Sequence, residues 1–299
     1  MLKKFEQIRE LARKKGKKTI AVVAPECDTI IKAVERLTKE GIVNAVLIGD
    51  EGRIEEVASR HGVNLKSCRV INSTDLVQSG YIAVDEINAG RADILMKGNI
   101  ATPDLMKSVL YRERGLRKGK LLSHIGVIEC PRYNKLLIVT DGGVNIRPDV
   151  EKKAQIIKNA IDFAKRIGID RPNIGILGPI ERVSPKIQDT VDAQKLVEMS
   201  KQGCFGDVIV EGPIAMDVVL SKEAARKKKI YSSIAGDTDI LIVPDVTTGN
   251  AILKTLIWLV GANVGGIVMG AKVPIVLASR SDTPKEKILS IILSIAVCE

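Results

Sequence analysis

At 299 residues the chain is long enough for a sizeable core and for two domains, and its 45% apolar and 27% charged content is that of an ordinary globular protein. No apolar run reaches the roughly 18 residues of a membrane span, and the basic N-terminus MLKKFEQIRELARKKGKK lacks the apolar stretch of a secretory signal. The net charge of +10 is spread among helical segments without an RNP, zinc-finger or helix-turn-helix pattern, which argues against nucleic acid and for a surface that attracts a small polyanion.

The N-terminal residues Leu2, Phe5, Ile8 and Leu11 recur every three positions and predict an amphipathic helix. Short β-branched runs then alternate with helical patterns. Strands are expected at 19–25, 44–50, 67–73, 92–98, 123–130, 135–142, 173–178, 207–212, 239–245, 265–271 and 274–279. Helices are expected at 28–40, 78–89, 102–114, 149–167, 191–202, 216–229, 248–261 and 284–297. Near-continuous apolar strands separated by helices predict an α/β fold with a mostly parallel sheet covered on both faces. Residues 123–142 break the alternation, because two strands joined by PRYN leave no room for a helix; they form a hairpin or a crossing, and the main boundary is placed near 143.

Aromatic residues make up only 3%, so the core is built from Ile, Val, Leu and Ala. The cysteines Cys27, Cys68, Cys130, Cys204 and Cys298 are odd in number and scattered, with neither CxxC nor Cys/His spacing. A reduced, cytoplasmic setting with no structural zinc is expected. GxGxxG after a strand, GxxxxGK[ST] and GxSxG are all missing, which disfavours the common dinucleotide fold, the P-loop and the hydrolase elbow.

What recurs is a strand that ends in a small, polar or charged cluster. Lys97-Gly98-Asn99 follows ADILM, and Thr102 then opens a helix carrying Lys107. Asp141-Gly142-Gly143 leads to Asn145 and Arg147, Glu211-Gly212-Pro213 to Asp217, and Pro244-Asp245 to Gly249, Asn250 and Lys254. Ser279-Arg280 closes the greasy strand at 274–279, with Asp282 and Glu286 close behind. Each cluster alone reads more simply as a turn or a cap. Together they set glycines, helix N-termini and cations at strand ends, where backbone N–H groups and charged side chains hold phosphate. His124 reads as a ligand, a base or a structural histidine. Asp237 and Asp239 read as metal ligands or, more simply, as caps of the following strand; no metal is expected.

MKGNIATPDLM (96–106), SHIGV (123–127), DGGVNIRPD (141–149), VEGPIAMD (210–217), AGDTDILIVPDVTTGNAILKTL (235–256) and GAKVPIVLASRSD (270–282) resemble, in order, the motifs of the phosphate acetyl/butyryltransferase family. The compact length is most similar to the phosphate butyryltransferases. The resemblance implies a two-domain fold like that of the isocitrate/isopropylmalate dehydrogenases, with mostly parallel sheets and an interdomain cleft. Its domains would be 1–143 plus 277–299 and 144–276, and the protein would be a homodimer or higher homo-oligomer. It implies reversible conversion of acyl-CoA and phosphate to acyl phosphate and CoA, butyryl in the leading reading and acetyl in the alternative. Transfer is expected by direct attack in a ternary complex, with CoA as substrate and no tightly bound cofactor.

The resemblance also suggests roles. Arg280 offers a planar fork to phosphate and to the developing oxyanion, and Ser279 a hydrogen bond. A carboxylate must take the CoA thiol proton in reverse; spacing favours Glu286 and likeness to butyryltransferases favours Asp282, so both stand. Substrate-binding residues would be Lys97, Thr102, Lys107, Ser123, His124, Asn145, Asn250 and Lys254. Lys107 stands where acetyltransferase relatives tend to have arginine, keeping the charge without the bidentate geometry. A decarboxylating dehydrogenase using metal and NAD, and a non-catalytic sensor, are the competing classes.

Overall fold

A computed structural model describes residues 2–299. In chain order its elements are α1 (Phe5–Lys14), β1 (Lys18–Val23), α2 (Asp28–Lys39), β2 (Val43–Gly49), α3 (Glu51–Arg60), β3 (Cys68–Asn72), α4 (Leu76–Asn88), β4 (Ile94–Lys97) and α5 (Thr102–Leu110). There follow β5 (Ser123–Glu129), β6 (Leu137–Thr140), α6 (Val150–Arg166), β7 (Asn173–Leu177), α7 (Gln188–Lys201), β8 (Ile209–Ile214), α8 (Met216–Leu220) and α9 (Lys222–Lys228). The chain closes with β9 (Ile240–Ile242), α10 (Val246–Val260), β10 (Asn263–Met269), β11 (Ile275–Val276) and α11 (Pro284–Val297).

Every expected strand forms, and so does the N-terminal helix, which buries Phe5, Ile8 and Ala12. Two departures have local causes. Helix α3 is not among the expected elements, because only Ile54 and Ala58 of its ten residues are buried and its apolar period is correspondingly thin. The segment 216–229 is two helices: Ser221 is extended at φ −147° and its hydroxyl accepts from the Ala224 N–H, capping α9 and ending α8.

The chain divides into two compact units. The first comprises Ile8–Lys120 and Gly265–Glu299. Its strand order is β3-β2-β1-β4-β11-β10, parallel throughout except where β10 runs against β11. Helix α2 lays Ile30, Ile31, Val34 and Leu37 on this sheet, and α11 is buried from Lys287 to Val297. Each large aliphatic side chain so hidden contributes about 1.5–3 kcal/mol.

The second unit comprises Leu121–Val264 with the N-terminal residues up to Gln7. Its strands run β5-β6-β9-β7-β8, with an antiparallel β5–β6 hairpin and parallel pairing beyond. The division therefore falls at Lys120/Leu121 and Val264/Gly265, not at 143 and 277. The hairpin belongs with the second unit because β6 is an interior strand there, its Ile138–Thr140 paired with Ile240–Ile242 of β9.

Candidate functional site

In the first unit β1, β4 and β11 run parallel, so their C-terminal ends lie side by side. Each strand gives way to polar residues: Glu26 and Cys27 after β1, Gly98 and Asn99 after β4, Ser279 and Arg280 after β11. Together with Lys97 and Lys287 they line a pocket of about 390 Å³, whose wall also includes Arg60 and His61. This is where a parallel sheet places ligands.

The floor depends on Gly98. Its N–H donates to Val23 O at 2.8 Å and the Asn99 N–H donates to Ala24 O at 2.6 Å, while Ala24 itself is left-handed at φ +52°. A methyl group on residue 98 would lie 2.0 Å from Ala24 O and 2.4 Å from Val23 O, backbone atoms that cannot turn aside. Gly98→Ala is therefore expected to force β4 from β1, costing about 1–3 kcal/mol and widening the pocket. Urea unfolding together with turnover of the variant checks this, and wild-type values in both would refute it.

Two lysines point into this space. Lys97 ends β4 at 6% exposure, its ammonium donating to Gly98 O at 3.2 Å. Lys287, in the first turn of α11, is 2% exposed and its Nζ donates to Ser279 O at 3.4 Å and to Asp282 O. Burial, followed by the charges of Arg280 and Lys287, pushes the Lys97 ammonium below the ordinary lysine range, against the opposing pull of Asp282. Burial likewise lowers Lys287, against Asp282, Cys27, Glu286 and Asp28. Depressed in the folded state, each ammonium costs stability at neutral pH, and that cost is lifted only as pH rises through the depressed value toward 10.5.

The turn after β11 is tightly specified. The Ser279 N–H donates to Asp282 Oδ2 at 2.7 Å, the Asp282 N–H donates to Ser279 O at 3.2 Å, and the Ser279 and Ser281 hydroxyls are 3.1 Å apart. Asp282 thus holds Ser279 and Arg280 in place while contributing negative charge beside both lysines. Glu286 is engaged differently. With Thr283 it forms the capping box of α11, accepting from the Thr283 N–H at 2.6 Å. Thr102 begins α5, and Lys107 is exposed on that helix and paired with Asp104 at 2.7 Å, which raises its pKa. Neither lines the pocket.

The remaining expected binding residues belong to the second unit. Ser123 is buried at the start of β5 and accepts from Asn159 Nδ2 at 2.9 Å. The ring of His124 packs over Gly143, and its carbonyl accepts from the Thr140 hydroxyl at 2.7 Å. Asn145 is fixed by Asp141, whose carboxylate accepts from the N–H groups of Gly143, Val144 and Asn145 and from Asn145 Nδ2 at 2.6 Å. Gly142 and Gly249 meet so closely that a Cβ on Gly249 would lie 2.7 Å from Gly142 Cα, which seats the start of α10 on this loop. Asn250 is exposed and Lys254 half-buried on α10. Asp237 and Asp239 are gathered by the buried Lys135, at 3.0 and 2.7 Å.

Sequence reasoning missed Glu26, Cys27, Arg60, His61 and Lys287. The first two carry a legible signal, since APECD ends β1 as the other polar clusters end their strands. Arg60 and His61 hang on the unexpected α3. Lys287 was detectable only as a charge at the start of an otherwise apolar helix.

An α/β protein with cations gathered at parallel strand ends has the chemistry to hold a small anion. A family model described as "Phosphate acetyl/butaryl transferase" matches residues 4–79 and 73–295. The chain is 35% identical over 297 residues to the phosphate butyryltransferase of Clostridium acetobutylicum, covering 99% of both. It is 39% identical over 290 residues to the phosphate acetyltransferase of Thermotoga maritima, covering 97% of this chain and 98% of that one. Its fold is similar to the crystal structure of a branched-chain phosphotransacylase from Enterococcus faecalis V583, with a TM-score of 0.84, 29% identity and coverage of 94% and 98%. The chain belongs to the phosphate acetyl/butyryltransferase family.

Proposed function

We propose that the protein transfers a short acyl group reversibly between CoA and inorganic phosphate, with the first-unit pocket receiving the phosphate. The observation that carries this reading is the convergence of Lys97, Arg280 and Lys287 on one pocket at the ends of β4 and β11. Phosphate oxygen attacks the thioester carbonyl; the Arg280 guanidinium and the Ser279 hydroxyl stabilise the oxyanion, and CoA leaves as thiolate. In reverse a carboxylate takes the thiol proton. Of the two candidates Asp282 is the better placed, because it adjoins Ser279 and the lysines whereas Glu286 is occupied in the capping box.

Attack is direct, in a ternary complex. Cys27 also lines the pocket, so this point has a sharp test. Cys27→Ser is expected to keep turnover within about threefold, since a residue outside the chemistry contributes little to the barrier, and initial-rate plots should intersect. Parallel lines and a dead serine variant would mean an acyl-cysteine intermediate.

Butyryl is the preferred acyl group, supported by the match to the Clostridium enzyme over the whole chain; the Thermotoga match keeps acetyl as the second reading. The two compact units with mostly parallel strands support the two-domain dehydrogenase-like fold, here with domains divided at 120 and 264. CoA serves as substrate and no cofactor is held tightly. A cytoplasmic homo-oligomer completes the proposal, supported by five free cysteines and by the bare apolar end of α10, where Trp258 and Leu259 are 66% and 83% exposed. Free CoA thiol is to be followed from acetyl-, butyryl- and longer acyl-CoA with and without phosphate. Release that requires phosphate and ranks butyryl first is expected; release without phosphate would mean a thioesterase.

A further inference from the structure

Among the described residues four lysines are buried: Lys97, Lys135, Lys153 and Lys287. Two of them are neutralised by the protein. Lys135 lies 2.7 Å from Asp239 and 3.0 Å from Asp237, and Lys153 lies 2.8 Å from Asp192. Lys97 and Lys287 have no carboxylate within ion-pair distance among the described residues; their ammonium groups donate only to the main-chain carbonyls of Gly98, Ser279 and Asp282. Asp282, the nearest acid in the turn, has turned its Oδ2 to the Ser279 N–H instead. The two buried lysines without a carboxylate in contact are the two that line the pocket.

A buried ammonium with no carboxylate in contact is costly, and two together cost more through mutual repulsion; Asp282, whose charge reaches both, offsets part of that cost. Their depressed proton affinities report that cost. An anion seated between them would remove it, with protons left on both nitrogens to donate. Resting on the acyl-transfer reading of this pocket, we propose that Lys287 is a phosphate-binding residue of the site, holding the phosphate as a pair with Lys97. Through Ser279 O and Asp282 O the same ammonium ties the phosphate to the turn that presents Ser279 and Arg280.

The groups facing Lys287 set its charge: Asp282 and Glu286 from its own helix and the preceding turn, Cys27 and Asp28 from the start of α2, and Lys97 from β4. At pH values where Lys287 is protonated, its loss removes a full positive charge from the phosphate site. Affinity for acyl-CoA is expected to change far less.

The test begins with the wild-type enzyme, in which CoA release must depend on phosphate; without that dependence the acyl-transfer reading fails and Lys287 is not at issue. With it in hand, Lys287→Met is expected to raise KM for inorganic phosphate about ten- to a hundredfold, the weight of one charge-assisted hydrogen bond. KM for acyl-CoA should stay within about twofold, as for a substrate the residue does not touch. Lys287→Gln keeps a donor for the two carbonyls without the charge, and it should fold where methionine does not and lose phosphate affinity equally. Titration of each protein with inorganic phosphate alone, by calorimetry, should give the same order. Retained phosphate affinity in either variant, or equal changes in both KM values, would overturn the proposal and leave Lys287 a structural strut.

Discussion

Replacing Arg280 with alanine is expected to lower kcat/KM for phosphate-dependent CoA release about a thousandfold, the scale of a removed oxyanion donor, with the melting temperature unchanged. The side chain is exposed and lines the pocket, and its guanidinium makes no ion pair among the described residues. The turn is held by Asp282, Ser279 and Lys287, so it keeps its shape without the arginine. What is lost is a planar fork that can grip two oxygens as negative charge develops on the carbonyl. Arg280→Lys should recover only part of the rate, because an ammonium restores the charge without the fork. The alanine variant should also let Lys97 hold its proton more firmly, since Arg280 is one of the charges that depress it. An alanine variant with wild-type turnover would remove Arg280 from the mechanism.

The second large effect lies in the second unit and concerns stability. Lys135→Met should cost about 3–5 kcal/mol, as expected when one partner of a buried ion pair is removed. The 2% exposed ammonium is surrounded by Asp239 Oδ1 at 2.7 Å, Asp237 Oδ1 at 3.0 Å and Asp237 O at 2.6 Å. These acids in turn receive the Asn173 main chain and side chain at the start of β7, and the Tyr133 hydroxyl donates to Thr238 O at 2.8 Å. Burial, reinforced by Asp239 and Asp237, pushes the Tyr133 hydroxyl upward, so it remains a donor through the physiological range. Methionine would leave Asp239 buried beside no cation. Asp237, at 36% side-chain exposure, can regain water, so Asp237→Asn should cost much less. Urea unfolding followed by the fluorescence of Trp258, the chain's only tryptophan, reads the second unit directly. A loss under about 1 kcal/mol, the value of an exposed pair, would show that water replaces the lysine.

Strands such as IAVV and ILMK announced themselves because both faces are covered and the apolar run is unbroken. Ser279 and Arg280 were legible because polar residues that end such a run are displaced from the core to the sheet's rim. Lys287 was not, since its burial at the pocket without a carboxylate in contact is a property of three-dimensional neighbours rather than of sequence. The ambiguity between Asp282 and Glu286 had the same origin: spacing cannot reveal that Glu286 folds back on Thr283. The boundary at 143 failed because a hairpin by itself does not disclose that β9, about a hundred residues later, pairs with its second strand.

The first unit places β11 directly beside β4, although more than 170 residues separate them along the chain. On the ribosome, β4 emerges long before its neighbour exists. At roughly 5–20 residues per second, its edge stands open for on the order of ten seconds or more while the whole second unit is made. The nascent first half must be shielded from other chains during that interval, and a message broken anywhere before β11 would release a protein with an unfinished sheet and half of the cation-lined pocket.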